Sequence, residues 1–332
     1  MKGIDHRKVG SDEEGMRIDR WFHVHFPGVS HAHLNKLMRT GQVRLDGARV
    51  KGSVRLEAGQ EIRIPPMAFA RRQADAQAED ARPLTRDERS LFRSMVLYED
   101  QDIYVLNKPD GLAVQGGTKT HRHVDGLLLG LAAELKDRPR LVHRLDRDTS
   151  GILVVAKRRA IAASLGRLFA TRTVRKIYWA LVHGVPKPLQ GRIDVPLIKA
   201  AGEEGDRVRG ASEDEAEEAQ RAVTRYAVID KAPPKLAWVS LKPVTGRQHQ
   251  LRAHMAHIGH PIMGDAKYGG TADLPEAVPN RLHLHARRIV FPHPRGDGEV
   301  DVSAALPAFM RGTWQYFGFD PDRYDDGPDD RR

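Results

Sequence analysis

A polar segment in the first third of the chain divides it into two parts of unequal length. Residues 67–90 are rich in Ala, Arg, Gln, Asp and Glu and have no sustained apolar period, which predicts a linker between domains. The chain has 332 residues, too many for one typical core. We therefore predict a small module at residues 15–66 and a larger domain at residues 91–319. The polar end, residues 320–332, predicts a disordered tail.

The charge balance of the chain favours an anionic partner. Lys and Arg number 54 against 44 Asp and Glu, which gives a formal net charge of +10. Nucleic acid fits this excess, and an anionic membrane surface would explain it equally well. No stretch of 18 or more apolar residues is present and the first ten residues are polar, so we expect no membrane span, no secretion and a cytoplasmic location.

The sequence contains no cysteine. Disulfides, thiolate nucleophiles and cysteine-based zinc or iron-sulfur sites are therefore excluded. Any metal ion would need His, Asp or Glu as its ligands.

The pattern of residues 15–66 predicts two short helices followed by short strands. Ser30 begins the second helix and Gly41 ends it. Strands are expected on either side of the Asp46-Gly47 turn and again at residues 61–64. The polar face of the second helix suits a phosphate backbone, although an ordinary solvated face would look the same. The apolar residues that mark the two helices are Ile18, Trp21, Phe22, Leu34, Leu37 and Met38.

Together these positions resemble the S4 RNA-binding module over its whole length, from Arg17-Ile18-Asp19 to Gly59-Gln60-Glu61-Ile62. The chain departs from the pattern at the start of the second helix, where S4 modules often have Ser-Arg and this chain has Ser30-His31. The RNA contacts that the resemblance implies are Arg17, Arg20, His31, Lys36 and Arg39.

Residues 91–319 contain more strand-like than helix-like runs, and the two do not alternate strictly. This favours an α+β fold with a mostly antiparallel mixed sheet flanked by helices over a doubly wound fold. One helix is predicted at residues 160–169, and the acidic segment 203–218 predicts a solvated or disordered loop. The strand-like runs cover residues 96–98, 103–106, 152–156, 178–182, 223–229, 237–241 and 288–291.

Charged and polar residues crowd a predicted loop at residues 141–151, directly before the predicted buried strand at 152–156. A solvated turn at the entry of a strand would explain an ordinary Asp-rich segment of this kind. The order His-Arg-Asp is also typical of protein kinases, but Leu145 breaks the kinase spacing and no glycine-rich phosphate loop precedes it. We therefore exclude a kinase.

A second polar cluster spans residues 245–269 and includes four histidines, at 249, 254, 257 and 260. These histidines raise the alternative of a metal-dependent hydrolase that acts on nucleic acid. Against it, the sequence has no His-Glu-x-x-His helix, and histidines beside arginines serve equally well as packed or RNA-facing groups. We expect no metal.

Five motifs, in this order along the chain, resemble those of the RluA-type pseudouridine synthases. The most specific is His-Arg-Leu-Asp-x-Asp-Thr-Ser-Gly at residues 143–151. With the S4-like module, the resemblance extends to about residue 319 and is nearest to the RluC-like branch, which acts on large-subunit (23S) ribosomal RNA. The other motifs are Asn-Lys-Pro-x-Gly at 107–111, Lys-x-Tyr at 176–178, Gly-Arg-x-His-Gln-Leu-Arg at 246–252 and Gly-His-Pro at 259–261.

The resemblance implies an enzyme that isomerises uridines in structured RNA without a cofactor. Asp146 would be its catalytic nucleophile or base, and an Asp side chain is ordinarily ionised at neutral pH. Tyr178 would stack on the flipped uridine, and Arg252 would pair with Asp146. Arg144 would fill the space left by the base or contact a phosphate, and Leu251 would form an apolar wall. The other substrate contacts implied are His143, Lys108, Lys176 and Arg247.

A first alternative is a non-catalytic RNA-binding or ribosome-assembly protein that kept the fold. The presence of Asp146, Tyr178 and Arg252 counts against it. The second alternative is the metal-dependent hydrolase. Ribosomal RNA is the expected partner, no obligate protein partner is implied, and a monomer is expected.

Overall fold

A computed structural model describes residues 4–26, 29, 31–66, 82–116, 122–132, 135, 137–171, 173–200, 207–271, 275–296 and 298–324. The chain divides into two compact units, with the boundary between Arg82 and Pro83. Ser30, most of the predicted linker (residues 67–81) and residues 325–332 of the predicted tail lie outside the described residues.

Within its described residues, the first unit has two α-helices and four strands around its own apolar core. The helices and strands predicted for it are confirmed, and one further strand precedes them. That strand, Asp5-His6-Arg7-Lys8, has no apolar residue, and it forms because its backbone pairs with the last strand of the unit. The elements are β1 Asp5–Lys8, α1 Ile18–His25, α2 His31–Arg39, β2 Arg44–Leu45, β3 Ala48–Arg49 and β4 Glu61–Ile64. The sheet is antiparallel, in the order β1-β4-β2-β3.

The second unit is built on a ten-stranded sheet and a separate two-stranded hairpin. The strands are β5 Val96–Glu99, β6 Ile103–Lys108, β7 Arg140–Leu141, β8 Ser150–Ala156, β9 Arg175–His183, β10 Gln190–Asp194, β11 Leu197–Lys199, β12 Val208–Gly210, β13 Val223–Ala232, β14 Leu236–Pro243, β15 Leu284–Pro292 and β16 Glu299–Ser303. The main order is β10-β13-β14-β9-β15-β8-β6-β5, with β16 beside β15 and β7 beside β8. Within this sheet β15 and β8 run parallel and the other pairs are antiparallel.

Helices flank this sheet, which confirms the predicted α+β class. Phe92, Leu128 and Leu165 bury three of them against β6 and β8, and Leu251 and Trp314 bury two more against other parts of the sheet. In the part of the chain that the structure describes, no helix has both the length and the apolar character that crossing a bilayer requires. The helices are α3 Arg86–Met95, α4 Val124–Ala132, α5 Arg159–Ala170, α6 Gln250–His257 and α7 Ala308–Tyr316.

Helix α3 begins inside the segment predicted as a linker. The Thr85 backbone N–H donates to the Glu88 carboxylate at 2.9 Å, and the Glu88 N–H donates to the Thr85 hydroxyl at 3.3 Å. This capping box starts the helix. Its fully buried side chains, Phe92 and Met95, lie in the second half, so the first turns carry no apolar period. The linker predicted for residues 86–90 is therefore helix.

The acidic segment predicted as a loop contains regular structure within residues 207–218, and residues 203–206 lie outside the described residues. Val208–Gly210 forms β12, which pairs with β11, and a short 3-10 turn follows at Glu213–Glu215. Arg209 donates two hydrogen bonds of 2.7 and 2.6 Å to Glu215. Val208 is buried, and one buried valine among charged residues gives too weak a period to predict a strand.

The predicted tail is ordered at its start. Phe319 is buried, and the Tyr324 ring packs edge-on against Trp179 and Trp238, with centroids 6.2 and 5.9 Å apart. Residues 320–324 therefore belong to the fold of the second unit.

Gly151 lies where β8 approaches β15 most closely. Its φ is +105°, and a Cβ on it would lie 2.3 Å from the Ala286 carbonyl oxygen. The backbone conformation and the lack of space both require glycine at this position.

We predict that Gly151→Ala destabilises the protein by about 2–4 kcal/mol, because it adds both backbone strain and a clash with backbone. Thermal unfolding of the purified variants measures this. Gly166→Ala is the control, since Gly166 lies in α5 with nothing within 4 Å of its added Cβ. That change should be neutral or stabilising by up to about 1 kcal/mol. Equal melting temperatures for Gly151→Ala and wild type would contradict the prediction.

Candidate active site

A cavity of about 850 Å³ opens in the second unit, where the loop after β7, the start of β9 and the start of α6 meet. It brings together the three residues predicted as catalytic, Asp146, Tyr178 and Arg252. Five of the six predicted substrate contacts also line it: His143, Arg144, Lys176, Arg247 and Leu251.

The Asp146 carboxylate is 18% exposed and faces two nitrogen donors. Arg252 Nη1 lies 3.5 Å from Asp146 Oδ2, and His249 Nε2 lies 3.8 Å from the same oxygen. The loop that carries Asp146 turns back on itself, with the Thr149 N–H donating to the Asp146 carbonyl oxygen at 3.2 Å.

Lys108 holds this loop from beneath. Its side chain is fully buried, and Nζ donates to the carbonyl oxygens of Pro109, Leu112 and Arg147 at 2.8, 2.8 and 2.9 Å. Burial lowers the pKa of Lys108 to about 8, although nearby aspartates oppose the shift. The structure therefore gives Lys108 a role in fixing the loop rather than the substrate contact that was predicted.

His143 anchors the other side of the loop. Its Nε2 accepts the Val154 backbone N–H at 2.8 Å, and its ring stacks on Phe169 with centroids 4.7 Å apart. Burial, with a smaller effect of Lys176, lowers the pKa of His143 to about 3, so the ring is neutral. A neutral, hydrogen-bonded imidazole of this kind supports the loop while one edge faces the cavity.

Arg252 pairs mainly with Asp265 and only secondarily with Asp146. Its Nε and Nη2 donate to the two Asp265 carboxylate oxygens, both at 2.7 Å. The Asp265 side chain is fully buried and also accepts the N–H groups of Lys267 and Tyr268. Burial opposes the charge on Arg252, but the hydrogen bonds to Asp265 outweigh it and raise the pKa. The predicted pairing with Asp146 is thus one contact of a larger arrangement.

Tyr178 provides an aromatic wall. Burial, and then the charge of Asp146, raise the pKa of its phenol far above the ordinary value, so the hydroxyl is protonated at neutral pH. The backbone of Tyr178 pairs with Leu241 on β14 and Ala286 on β15. Leu251, which is also largely buried, adds an apolar surface to the same cavity.

Cationic side chains form the rim of the cavity. Arg144 and Arg247 are exposed, and Arg247 Nε donates to the Arg221 carbonyl oxygen at 3.1 Å. Among the described residues no carboxylate lies within 4 Å of the Arg144 guanidinium. Burial lowers the pKa of Lys176 from its ordinary value. Arg225 and Lys242, which the sequence analysis did not single out, line the same cavity.

His249 was predicted only as one of four possible metal ligands. It precedes α6 with a left-handed φ of +50°, its ring is buried, and Nδ1 lies 3.1 Å from Tyr268 Oη. Asp265 and Tyr268 belong to the same polar cluster, residues 245–269. Membership in that cluster was the sequence signal that could have identified them as site residues. No pattern in the sequence indicated that they pair with Arg252 and His249.

Two other histidines of that cluster make hydrogen bonds within the fold. His254 contacts the Thr224 hydroxyl at 2.9 Å and the Val195 carbonyl oxygen at 3.0 Å, and His260 contacts the His183 carbonyl oxygen at 2.8 Å. Within the described ranges the one group of three metal-capable side chains is Asp100, Asp102 and His293, elsewhere in the unit. Asp102 there pairs with Arg158 and Arg295.

We predict that Arg252→Ala destabilises the protein by about 3–5 kcal/mol, because it leaves the buried Asp265 carboxylate without its partner. Chemical unfolding measures the change, and Arg247→Ala, an exposed arginine of the same cavity, should stay within about 0.5 kcal/mol of wild type. Arg252→Lys should fall between them, since an ammonium cannot bind both oxygens in parallel. A fully stable Arg252→Ala protein would show that Asp265 has another partner.

Known proteins that are similar to this chain share one family description. The sequence model of the family described as RNA pseudouridylate synthase matches residues 102–257. The chain is 38% identical over 300 residues to ribosomal large subunit pseudouridine synthase C of Escherichia coli (strain K12), covering 88% of this chain and 89% of that protein. It is 35% identical over 312 residues to the Haemophilus influenzae protein of the same name, covering 92% and 93%.

Solved structures give the same result. Human RNA Pseudouridylate Synthase Domain Containing 4 superimposes with a TM-score of 0.57 and 28% identity, covering 74% of this chain and 97% of that one. Human RNA Pseudouridylate Synthase Domain Containing 1 gives 0.52 and 30%, covering 64% and 83%. Because the identity to full-length relatives exceeds 30% over most of both chains, the chain belongs to the RNA pseudouridine synthases, a family of isomerases, as its RluA-type motifs predicted.

Proposed function

We propose that this enzyme isomerises uridines of large-subunit (23S) ribosomal RNA, with Asp146 as its catalytic carboxylate. The observation that carries the proposal is the partly exposed Asp146 carboxylate in a cavity that also holds a tyrosine ring and a cationic rim. The bacterial relatives named above are ribosomal large subunit enzymes, which supports this choice of RNA.

The cavity suits a nucleoside that has been turned out of its helix. Its volume of about 850 Å³ lies within the range of about 300–1,000 Å³ typical of ligand pockets. Tyr178 and Leu251 offer apolar surface to the uracil, which offsets the few kcal/mol that unstacking costs. We assign the stacking contact to Tyr178 and the lower wall to Leu251.

The reaction balances without a co-reactant. The bond from the ribose C1′ to uracil N1 breaks, the base turns, and C1′ bonds to C5. The C5 hydrogen leaves as a proton, N1 gains one, and the product has the composition of the substrate. A carboxylate suffices as nucleophile or base, so this proposal needs neither metal nor cofactor.

A row of cations beside the cavity supports RNA over an uncharged substrate. Arg225 on β13 pairs in register with Lys242 on β14 and with Arg192 on β10. Like charges directly opposite one another on neighbouring strands destabilise a sheet. Asp194 pairs with Arg192 and so offsets part of this repulsion. RNA phosphates would offset more of it, and Arg144, Lys176 and Arg247 at the rim would extend the same contact.

We also propose that the first unit is an S4-like RNA-binding module. Arg20, Lys36 and Arg39 are exposed on its two helices. Arg17 is exposed as well, although Asp19 holds it at 2.6 Å and so partly neutralises it. His31 begins α2, where its predicted RNA contact remains a proposal.

Two further expectations follow from this function. A ribosomal RNA substrate would place the enzyme in the cytoplasm. We also propose that the enzyme acts as a monomer without an obligate protein partner.

We predict that Asp146→Asn abolishes pseudouridine formation and leaves RNA affinity within a few fold, because it removes the reactive carboxylate and keeps its shape. The measurement is a carbodiimide-based pseudouridine map of 23S ribosomal RNA and of transfer RNA after incubation with each protein. Asp148→Asn, the same change at an exposed position two residues away, is the control. Turnover by the Asp146→Asn protein, once deamidation is excluded, would favour a different catalytic residue. Product in transfer RNA alone would overturn the proposed substrate.

We predict that exchanging Arg225 and Lys242 together for Gln reduces the slope of log affinity against log salt concentration. Each lost phosphate contact lowers the slope by about 0.7 on a single strand and about 0.9 on a duplex, so the expected change is about 1.4–1.8. The control exchanges Lys231 and Lys235 for Gln, at the far end of the same pair of strands. A slope equal to that of wild type would mean that RNA does not follow this row.

A further inference from the structure

Two donors approach the same oxygen of the Asp146 carboxylate. Arg252 Nη1 lies 3.5 Å and His249 Nε2 3.8 Å from Oδ2. Arg252 cannot turn toward the other oxygen, because its Nε and Nη2 are held by Asp265 at 2.7 Å each. In the described part of the chain the hydrogen bond that reaches the Asp146 carboxylate ends on Oδ2, and none ends on Oδ1. The two carboxylate oxygens therefore have different surroundings.

The contacts of Tyr268 favour a proton on Nε2 of His249. The Val208 backbone N–H donates to Tyr268 Oη at 3.0 Å, so the hydroxyl hydrogen is free to be donated elsewhere. His249 Nδ1 lies 3.1 Å from that hydroxyl. A neutral imidazole that accepts at Nδ1 carries its proton on Nε2, the nitrogen that faces Asp146. Burial, opposed by Asp146, lowers the pKa of His249, which favours the neutral ring.

The backbone of His249 is held in a conformation that costs energy. Its φ of +50° lies in the left-handed region, which a residue other than glycine rarely adopts because of steric strain. Gln250 fixes the turn, since its side chain accepts from the Thr245 hydroxyl and the Arg247 N–H and donates to the Val223 carbonyl oxygen. Strain of this kind persists where the orientation of a side chain matters, and here it aims the imidazole at Asp146.

We infer that His249 is a positioning residue, which holds Oδ2 of Asp146 together with Arg252 and leaves Oδ1 as the oxygen that reacts with the nucleoside. The inference rests on the proposed role of Asp146. The separation of 3.8 Å is longer than a hydrogen bond, and such contacts tighten when substrate closes a site. Tyr268 acts one step further away, by fixing the tautomer of His249.

Residues 207 and 208 of the acidic segment help to hold Tyr268 in place. Val208 belongs to β12, and its backbone N–H donates a hydrogen bond to Tyr268 Oη. The guanidinium of Arg207 lies 5.3 Å from the centre of the Tyr268 ring, on which it stacks. The hairpin of β11 and β12 thus supports Tyr268, and through it His249.

The test compares His249→Gly with His249→Asn by single-turnover rate at saturating RNA. Both residues tolerate the left-handed backbone, so both proteins should fold. Asn retains an N–H donor and Gly does not. We expect the Gly variant to lose about 10- to 100-fold in rate with RNA affinity nearly unchanged, and the Asn variant to lose less. Added imidazole should restore part of the rate of the Gly variant, which a purely structural defect would not permit.

Two further variants complete the test. Tyr268→Phe keeps the ring but loses the hydroxyl, and we expect a smaller loss in rate than for His249→Gly. His257→Ala, an exposed histidine at the end of the same helix, should keep the wild-type rate. A wild-type rate in His249→Gly would overturn the inference, as would equal losses in the Gly and Asn variants with no effect of imidazole. Failure of the proposed function is distinct, because wild type would then form no pseudouridine in ribosomal RNA.

Discussion

The buried ion pair of Arg252 and Asp265 is the interaction on which the site depends. Removing two charges from water costs several kcal/mol for each ion, and only good geometry and further hydrogen bonds offset this cost. Here both oxygens of Asp265 bind the guanidinium, and the backbone N–H groups of Lys267 and Tyr268 donate to the same carboxylate. Helix α6 and the turn that carries Tyr268 are therefore fixed to each other. The third guanidinium nitrogen of Arg252, Nη1, does not bind Asp265 and faces Asp146.

A second set of contacts fixes the other side of the loop that carries Asp146. In these contacts the ionisable side chains of Lys108 and His143 have a structural role. Lys108 binds three carbonyl oxygens and His143 accepts a strand N–H, in each case with a pKa that burial has lowered. Buried cations and imidazoles in this unit hold backbone in place. The cations that remain exposed, such as Arg144 and Arg225, surround the opening of the cavity, where phosphates can reach them.

This division explains what the sequence could and could not predict. The seven runs predicted as strands, many with β-branched or aromatic residues, correspond to β5, β6, β8, β9, β13, β14 and β15, and the predicted helix corresponds to α5. Strands β1, β7, β10, β11, β12 and β16 and helices α4, α6 and α7 were not predicted. Charged residues hide the periodicity of β1, β12 and the start of α3. The motifs identified Asp146, Tyr178 and Arg252 as neighbours. They did not reveal that Arg252 pairs mainly with Asp265, or that the buried Lys108 holds the loop that carries Asp146. Both facts depend on burial and on contacts between distant segments. Sequence motifs indicate which residues matter more readily than what each one contacts.

The distance between Asp146 and Tyr178 follows from the backbone of the sheet. Gly151 pairs with Ala286, and Ala286 pairs with Tyr178, so one register line crosses β8, β15 and β9. Neighbouring strands lie about 4.8 Å apart, which places Gly151 and Tyr178 roughly 10 Å apart along that line. The loop that carries Asp146 leads into β8, and Asp146 lines the same cavity as Tyr178. Glycine at position 151 permits the close approach of β8 to β15, and a side chain there would move the whole Asp146 loop relative to the tyrosine. Gly151, the last residue of the motif, is thus needed for the position of the loop that carries Asp146. The chemistry of the site therefore depends on the backbone pairing of β8 with β15 as well as on the side chains that line the cavity.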